Sequence, residues 1–167
     1  AVPHLMDERR SVITGLGVVT PIGTGVERFW QAATQSTNGV KPITGFDTAD
    51  FRTKVGGEVG DFDVDKFLDR EKQARMGRGS QYAVAAASMA LNDAGVEPDR
   101  ENPARLGVTL GTTMGEPQIL DRGIRTKYEH GDAEAIPAEL PGQYPCNVIT
   151  GNVAHEFGFG GPVIMIP

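Results

Sequence analysis

Apolar positions along the chain fall into short blocks of two kinds. Residues 11–20 (SVITGLGVVT) are β-branched and apolar and are closed by Pro21 and Gly23. They are predicted to form a buried strand followed by a turn. Residues 106–110 and 163–166 are two further apolar blocks and are predicted as strands. Between them runs the other kind, with helical spacing. Residues 26–35 place Val26, Phe29, Trp30 and Ala33 on one face, behind Thr24 or Gly25 as a cap. Residues 80–94 carry a small-residue stripe of Tyr82, Ala85, Ala86, Met89 and Ala90, and Gly95 ends that helix. So many alanines imply close packing on another helix or a sheet. Residues 115–128 and 147–157 are predicted helices, the second ended by the glycines of 158–161. Residues 61–69 read as one short helix, and 53–59 as holding a short strand. Residues 38–60 and 129–142 otherwise read as loop. Strands alternating with helices predict an α/β layered domain with a mixed, mostly parallel sheet.

Composition narrows this reading. A length of 167 residues suits one domain. Apolar residues at 39% and charged residues at 23% fit a globular rather than a disordered chain. The 16 Lys and Arg against 22 Asp and Glu give a net charge of −6, which speaks against nucleic acid as a partner. A single cysteine, Cys146, excludes an internal disulfide framework and a multi-cysteine zinc site. No run approaches the ~18 apolar residues of a membrane span, so no membrane partner is expected. Residues 1–10 are polar and lack the apolar core of a signal peptide. They read as a disordered leader, with Met6 as an alternative native start, and the domain proper as 11–167. A cytoplasmic protein is expected.

Three places could carry chemistry. Gly15-Leu16-Gly17 follows an expected strand, as in a dinucleotide-binding fingerprint. The third glycine of that pattern is replaced by Thr20, and Pro21 interrupts the expected helix start. A tight turn leaving the strand is the preferred reading, and no P-loop sequence is present. Cys146 near a helix start could be a nucleophile with His155 or His130 as base. A small buried residue is the commoner role of a lone cysteine, and the three histidines show no metal-ligand spacing. Gly111-Thr112-Thr113-Met114-Gly115 sits directly after a strand, at the end where parallel sheets bind ligands. It reads either as a substrate-lining loop, with Met114 a flexible apolar wall, or as a plain connection.

Taken together, the segments VITGLGVVTPIGTGVERFW (12–30), FDTADF (46–51), SQYAVAAASMALNDAG (80–95), LGVTLGTTMG (106–115) and GFGGPVIMI (158–166) resemble the N-terminal half of a β-ketoacyl synthase. This is a condensing enzyme of the thiolase-like superfamily. The blocks recur in the family's order and cover nearly the whole chain from Ser11. The resemblance implies one α-β-α layered half of a thiolase-like fold. It implies an acyltransferase that joins an acyl thioester to a malonyl unit with loss of carbon dioxide, in fatty acid or polyketide biosynthesis. No cofactor is implied. Acyl carrier protein is the implied partner, together with a homodimer or a heterodimer of ketosynthase and chain-length factor.

Residue by residue, the resemblance carries little catalysis onto this chain. The family's nucleophilic cysteine lies in a T-A-C motif just after the strand that matches 162–166, and its two histidines lie in the C-terminal half. Cys146 and His155 match neither. Met114 matches an apolar gate residue of the acyl pocket, and Gly111, Thr112 and Gly115 match the loop that holds it. Glu116 departs from the glycine common there in fatty-acid-elongating members, which leaves polyketide-type synthases open. Residues 137–147 match a region lining the acyl pocket near the dimer interface. The main alternative is a non-catalytic chain-length factor, which shares these motifs without the cysteine. A split or cleaved enzyme also fits. A thiolase fits less well, because its nucleophile falls earlier in the chain.

The apolar strand at 163–166 is an open sheet element when nothing follows it. The 167-residue chain expressed alone is therefore expected to be poorly soluble. A soluble monomer with a cooperative thermal melt would contradict this.

Overall fold

Helix α3 (Arg78–Ala94) packs on elements from both ends of the chain. The computed structural model describes residues 10–131, 134 and 136–167. The predicted leader therefore lies, apart from Arg10, outside the described residues. Helix α3 ends as its sequence requires, on Gly95 in the left-handed conformation (φ 65°). One of its faces packs on helix α6 (Asn147–Glu156). Val84 and Val153 meet there with Leu68, and Phe67, Met76, Val108 and Phe157 close around them.

A second face of α3 receives residues 11–18, and this differs from expectation. Only Val19–Thr20 is a strand (β1), pairing antiparallel with β2 (Gly23–Thr24). Val12 and Ile13 are 77% and 84% exposed, so the predicted buried strand is an extended segment without strand partners among the described residues. Gly15 and Gly17 make no tight turn. A Cβ on Gly15 would lie 2.2 Å from the Ala90 carbonyl oxygen, and one on Gly17 1.8 Å from that of Ala86. The two glycines and the alanines of α3 thus let two backbones touch. The Leu16 N–H, donated to Asp93 Oδ2 at 2.9 Å, fixes the register.

Helix α1 (Val26–Thr34) follows the first hairpin. Strands β3 (Lys41–Pro42) and β4 (Val55–Gly56) form a second antiparallel pair, the latter within the predicted 53–59. Glu58 pins the loop between them, accepting from the N–H groups of Thr44 (2.8 Å) and Gly45 (2.9 Å). The helix expected at 61–69 is a single 3-10 turn at Val64–Lys66. Asp69, its expected last residue, instead caps helix α2 (Arg70–Arg75) by accepting from the Lys72 N–H at 2.9 Å. An Asp at a helix boundary caps the following helix better than it ends the preceding one.

Strand β5 (Val108–Gly111) leads into helix α4 (Pro117–His130), the short helix α5 (Leu140–Gln143) at the end of the predicted 129–142 loop, α6, and strand β6 (Val163–Ile166). β5 and β6 pair in parallel, from Val108 opposite Val163 to Gly111 opposite Ile166. The connection α4–α5–α6 is the crossover that parallel pairing demands. Helix α6 covers β5 and β6 on one side. Val163, Ile164 and Ile166 of β6 remain 44%, 48% and 56% exposed.

Two outcomes test these contacts. Gly17→Ala, which drives a methyl into the α3 backbone, is expected to cost at least about 2 kcal/mol in chemical denaturation. Gly151→Ala, in α6 with open space around it, should instead raise stability by up to about 1 kcal/mol. The N–H groups of Thr44 and then Gly45 hold the Glu58 carboxyl below its ordinary value of 4.5. A carboxyl whose folded pKa is lowered stabilises fully above the unfolded value and loses that contribution as pH falls through the folded one. Glu58→Gln should therefore weaken the 44–58 loop at neutral pH but flatten its acid dependence, as read by hydrogen exchange between pH 3 and 6.

Candidate functional site

Parallel pairing of β5 and β6 brings both carboxyl ends to one edge, the edge where α/β sheets bind ligands. The Thr112 N–H donates to the Ile166 carbonyl at 3.1 Å, carrying the pairing one residue beyond β5. Thr112 Oγ1 then donates to the Met114 carbonyl at 2.7 Å and accepts from the Met114 N–H at 3.3 Å. This small ring shapes the turn and leaves Met114 56% exposed. A Cβ on Gly115 would fall 2.1 Å from the Tyr144 carbonyl oxygen, and the next residue, Glu116, donates its N–H to that same oxygen at 3.1 Å. Glycine at 115 thus allows the loop to pass under the α5–α6 connection. Gly111, Thr112, Met114 and Gly115 all sit at this one edge.

Helices α4 and α5 flank an open apolar cavity of about 280 Å³, which meets the loop at Tyr144, whose carbonyl accepts the Glu116 N–H. Ile119, Leu120 and Ile124 line it from α4, with Leu140, Pro141 and Tyr144 opposite. The last three belong to the 137–147 segment singled out in the sequence. Gly123 keeps the two walls close, since a Cβ there would lie 3.4 Å from Leu140 Cδ2.

Glu116, expected in the first turn of a helix over 115–128 and noted as departing from the family's glycine, instead precedes α4. It is fully buried, and its two oxygens accept from the N–H groups of Gly79 (3.0 Å) and Ser80 (2.7 Å) at the start of α3. Ser80 Oγ in turn accepts from Asn152 Nδ2 of α6 at 2.9 Å. An acid 37 residues from its donor leaves no periodic signal. The available hints are Gly77 and Gly79, which open the space it fills.

The other candidates do not converge. Cys146 is half-buried at the start of α6, and His155 is exposed in the last turn of that helix. Nine residues of helix separate them by about 13 Å, too far for a nucleophile–base pair. The His130 side chain lies outside the described residues. His155 instead borders a recess with Lys72 and Glu156. There the Glu156 carboxylate, 2.8 Å from Lys72 Nζ, raises the lysine above its ordinary value through that hydrogen bond. Gly15-Leu16-Gly17 offers no phosphate cradle, because both glycines lie against α3 and the Leu16 N–H is taken by Asp93. Among the described residues no group of three or more His, Cys, Asp or Glu side chains could hold a metal ion. Among them, too, no helix is long and apolar enough to cross a membrane.

A parallel strand pair backed by helices, with a glycine-rich loop at its carboxyl edge, defines a layered α/β domain, and solved structures place it among thiolase-like ketosynthases. The ishigamide ketosynthase/chain length factor superposes with a TM-score of 0.85 at 33% identity, over 93% of this chain and 39% of that one. A β-ketoacyl synthase from Burkholderia phymatum gives 0.74 at 25%, over 93% and 38%. Residues 8–167 match the family model of the β-ketoacyl synthase N-terminal domain, and the chain belongs to that family. Among curated relatives, the 3-oxoacyl-[acyl-carrier-protein] synthase 2 of Synechocystis sp. is 36% identical over 157 residues, 94% of this chain and 38% of the relative. That of Vibrio cholerae is 35% identical over 161 residues, 96% and 39%. The chain thus spans under two fifths of the length of these relatives.

If the Gly115 passage shapes the site, Gly115→Ala should push the loop off the Tyr144 carbonyl. The expected result is a loss of about 2 kcal/mol or more in stability together with faster amide exchange at 112–116. Exchange unchanged from wild type would show that the close approach does not hold the loop.

Proposed function

We propose that this chain is the N-terminal part of a β-ketoacyl-(acyl carrier protein) synthase, in which the 111–115 loop forms a wall of the acyl pocket. The observation that carries the reading is the position of Met114. It stands exposed at the carboxyl edge of the parallel pair, on a loop tied to the last residue of β6 and, two residues on at Glu116, to the carbonyl of Tyr144, which lines the apolar cavity. An apolar, flexible side chain there suits an alkyl or polyketide chain.

The chemistry follows the family resemblance. A cysteine thiolate attacks the acyl carbonyl of an acyl carrier protein thioester and releases the carrier thiol. The bound malonyl thioester loses carbon dioxide. Its carbanion attacks the enzyme thioester, expels the cysteine thiolate and leaves a β-ketoacyl thioester on the carrier. Oxyanion donors stabilise the tetrahedral intermediates of both acyl-transfer steps. By the resemblance, the cysteine and two histidines belong to sequence after Pro167, and Cys146 is not the nucleophile. Acyl carrier protein is the proposed macromolecular partner, a two-fold dimer the proposed assembly, and the cytoplasm the proposed location.

The likeness to a structure described as a ketosynthase/chain length factor favours one second reading, a chain-length-factor subunit that shapes a pocket for a catalytic partner. The full-length protein, given acyl and malonyl carrier protein thioesters, separates the two. Carbon dioxide release with β-ketoacyl product from the protein alone supports the synthase. Activity only after adding a catalytic ketosynthase subunit supports the chain-length factor, and no activity in either case overturns both. In the synthase, Met114→Ala should change the ratio of kcat/KM between long and short acyl donors by about tenfold, in favour of the longer. Cys146→Ala should still form the acyl-enzyme thioester, detected by intact mass after incubation with acyl donor.

A further inference from the structure

Glu116 is the largest fully buried side chain among the described residues, and the condensation mechanism does not use it. Burying a carboxylate is costly unless hydrogen bonds replace the lost water. Here two N–H groups of the first turn of α3, those of Gly79 and Ser80, supply them. That turn has no other acid, and its cap residue, Gly77, has no side chain to offer. Anionic oxygens are favourable at a helix N-terminus, where unpaired N–H groups and the helix dipole point outward. The socket is built to fit. A Cβ on Gly77 would lie 2.2 Å from Glu116 Oε2, and one on Gly79 3.2 Å from it.

Glu116 also belongs to the site loop. It stands two residues after Met114, and its own N–H is held by the Tyr144 carbonyl. A short-range cap would have satisfied α3 equally well. A cap drawn from 37 residues away does something further, because it anchors a loop to a helix. Ser80 extends the anchor to α6 through Asn152.

We propose that Glu116 is a positioning residue that latches the 112–116 loop to the first turn of α3, fixing Met114 and so sharpening discrimination between acyl chains of different length. The specificity half of this inference rests on the acyl-pocket reading of Met114. The latch itself does not.

The test uses the full-length protein with Glu116→Gln, Glu116→Ala, Gly77→Ala and the Gly77→Ala/Glu116→Ala double variant. Glutamine keeps the shape but turns an N–H donor toward one of the two donors. Alanine at 77 displaces the carboxylate while leaving Glu116 in the sequence. Amide exchange at 112–116 and 79–80 should accelerate about tenfold in each single variant that folds. The double variant should be no worse than Glu116→Ala, because both changes break one contact. The kcat/KM ratio between long and short acyl donors should move toward unity by about tenfold, with the ratio changing more than kcat for the preferred donor.

Unchanged exchange at 112–116 in folded Glu116→Gln and Gly77→Ala would overturn the latch. Additive effects in the double variant would do the same. Faster exchange with unaltered selectivity, where Met114→Ala does alter selectivity, would overturn the specificity role alone. If Met114→Ala alters nothing, the acyl-pocket reading fails, and the exchange data by themselves decide the latch. Should Glu116→Ala not fold, Glu116→Gln and Gly77→Ala carry the same comparison.

Discussion

A carboxylate buried at the start of α3 constrains much of this domain. Water cannot reach Glu116, so its oxygens must be satisfied by protein, and the N–H groups of Gly79 and Ser80 do this. For that geometry to exist, positions 77 and 79 must lack a Cβ, α3 must begin there, and the β5–α4 loop must come close to it. Ser80 then ties the same turn to Asn152 of α6. These polar contacts together join the β5–α4 loop, α3 and α6.

The apolar packing is compatible with this anchor and adds to it. Helices α3 and α6 meet through Val84 and Val153, with Leu68 completing a small core. Along another face of α3, alanines meet glycines 15 and 17 at backbone distance. Contacts this close leave no slack, so α3 cannot slide along its axis without separating from the extended segment. A rigid α3 in turn gives the Glu116 socket a fixed position.

The edge formed by β5 and β6 is where this rigidity meets chemistry. The parallel pair delivers Gly111 and Ile166 side by side, and the Thr112 ring then exposes Met114 over them. The cavity between α4 and α5 is close by, lined almost wholly by apolar side chains. Nothing in this arrangement resembles an acid–base pair or a metal centre among the described residues. What it offers is shape, an apolar wall of defined position, which accords with a family whose N-terminal domain this chain matches.

Much of this was legible in the sequence where the signal is local. The end of α3 followed from Gly95, most of α3 and α4 from helical spacing over 80–94 and 115–128, and β6 from four consecutive apolar residues. That a connection follows β5 at 112–116 is legible because a strand and the next helix are marked by local signals, which need only order along the chain. The boundary at Asp69 was misplaced because a capping residue belongs to whichever helix its side chain reaches. Residues 11–18 have strand composition, yet strand pairing is a property of neighbours, and among the described residues no strand pairs with them, the Val18 carbonyl accepting from the Gly25 N–H outside any ladder. The burial and partners of Glu116 were beyond sequence reasoning for the same reason. Its composition says surface acid, and only the fold, by bringing two glycines and two free N–H groups to it across 37 residues, makes it a buried anchor. The sequence by itself determined the longer helices α1, α3, α4 and α6, the strands β5 and β6 and where the glycines stand, since those depend on neighbours along the chain. The tertiary structure alone decided which backbones touch and which charge is buried, since those depend on neighbours in space.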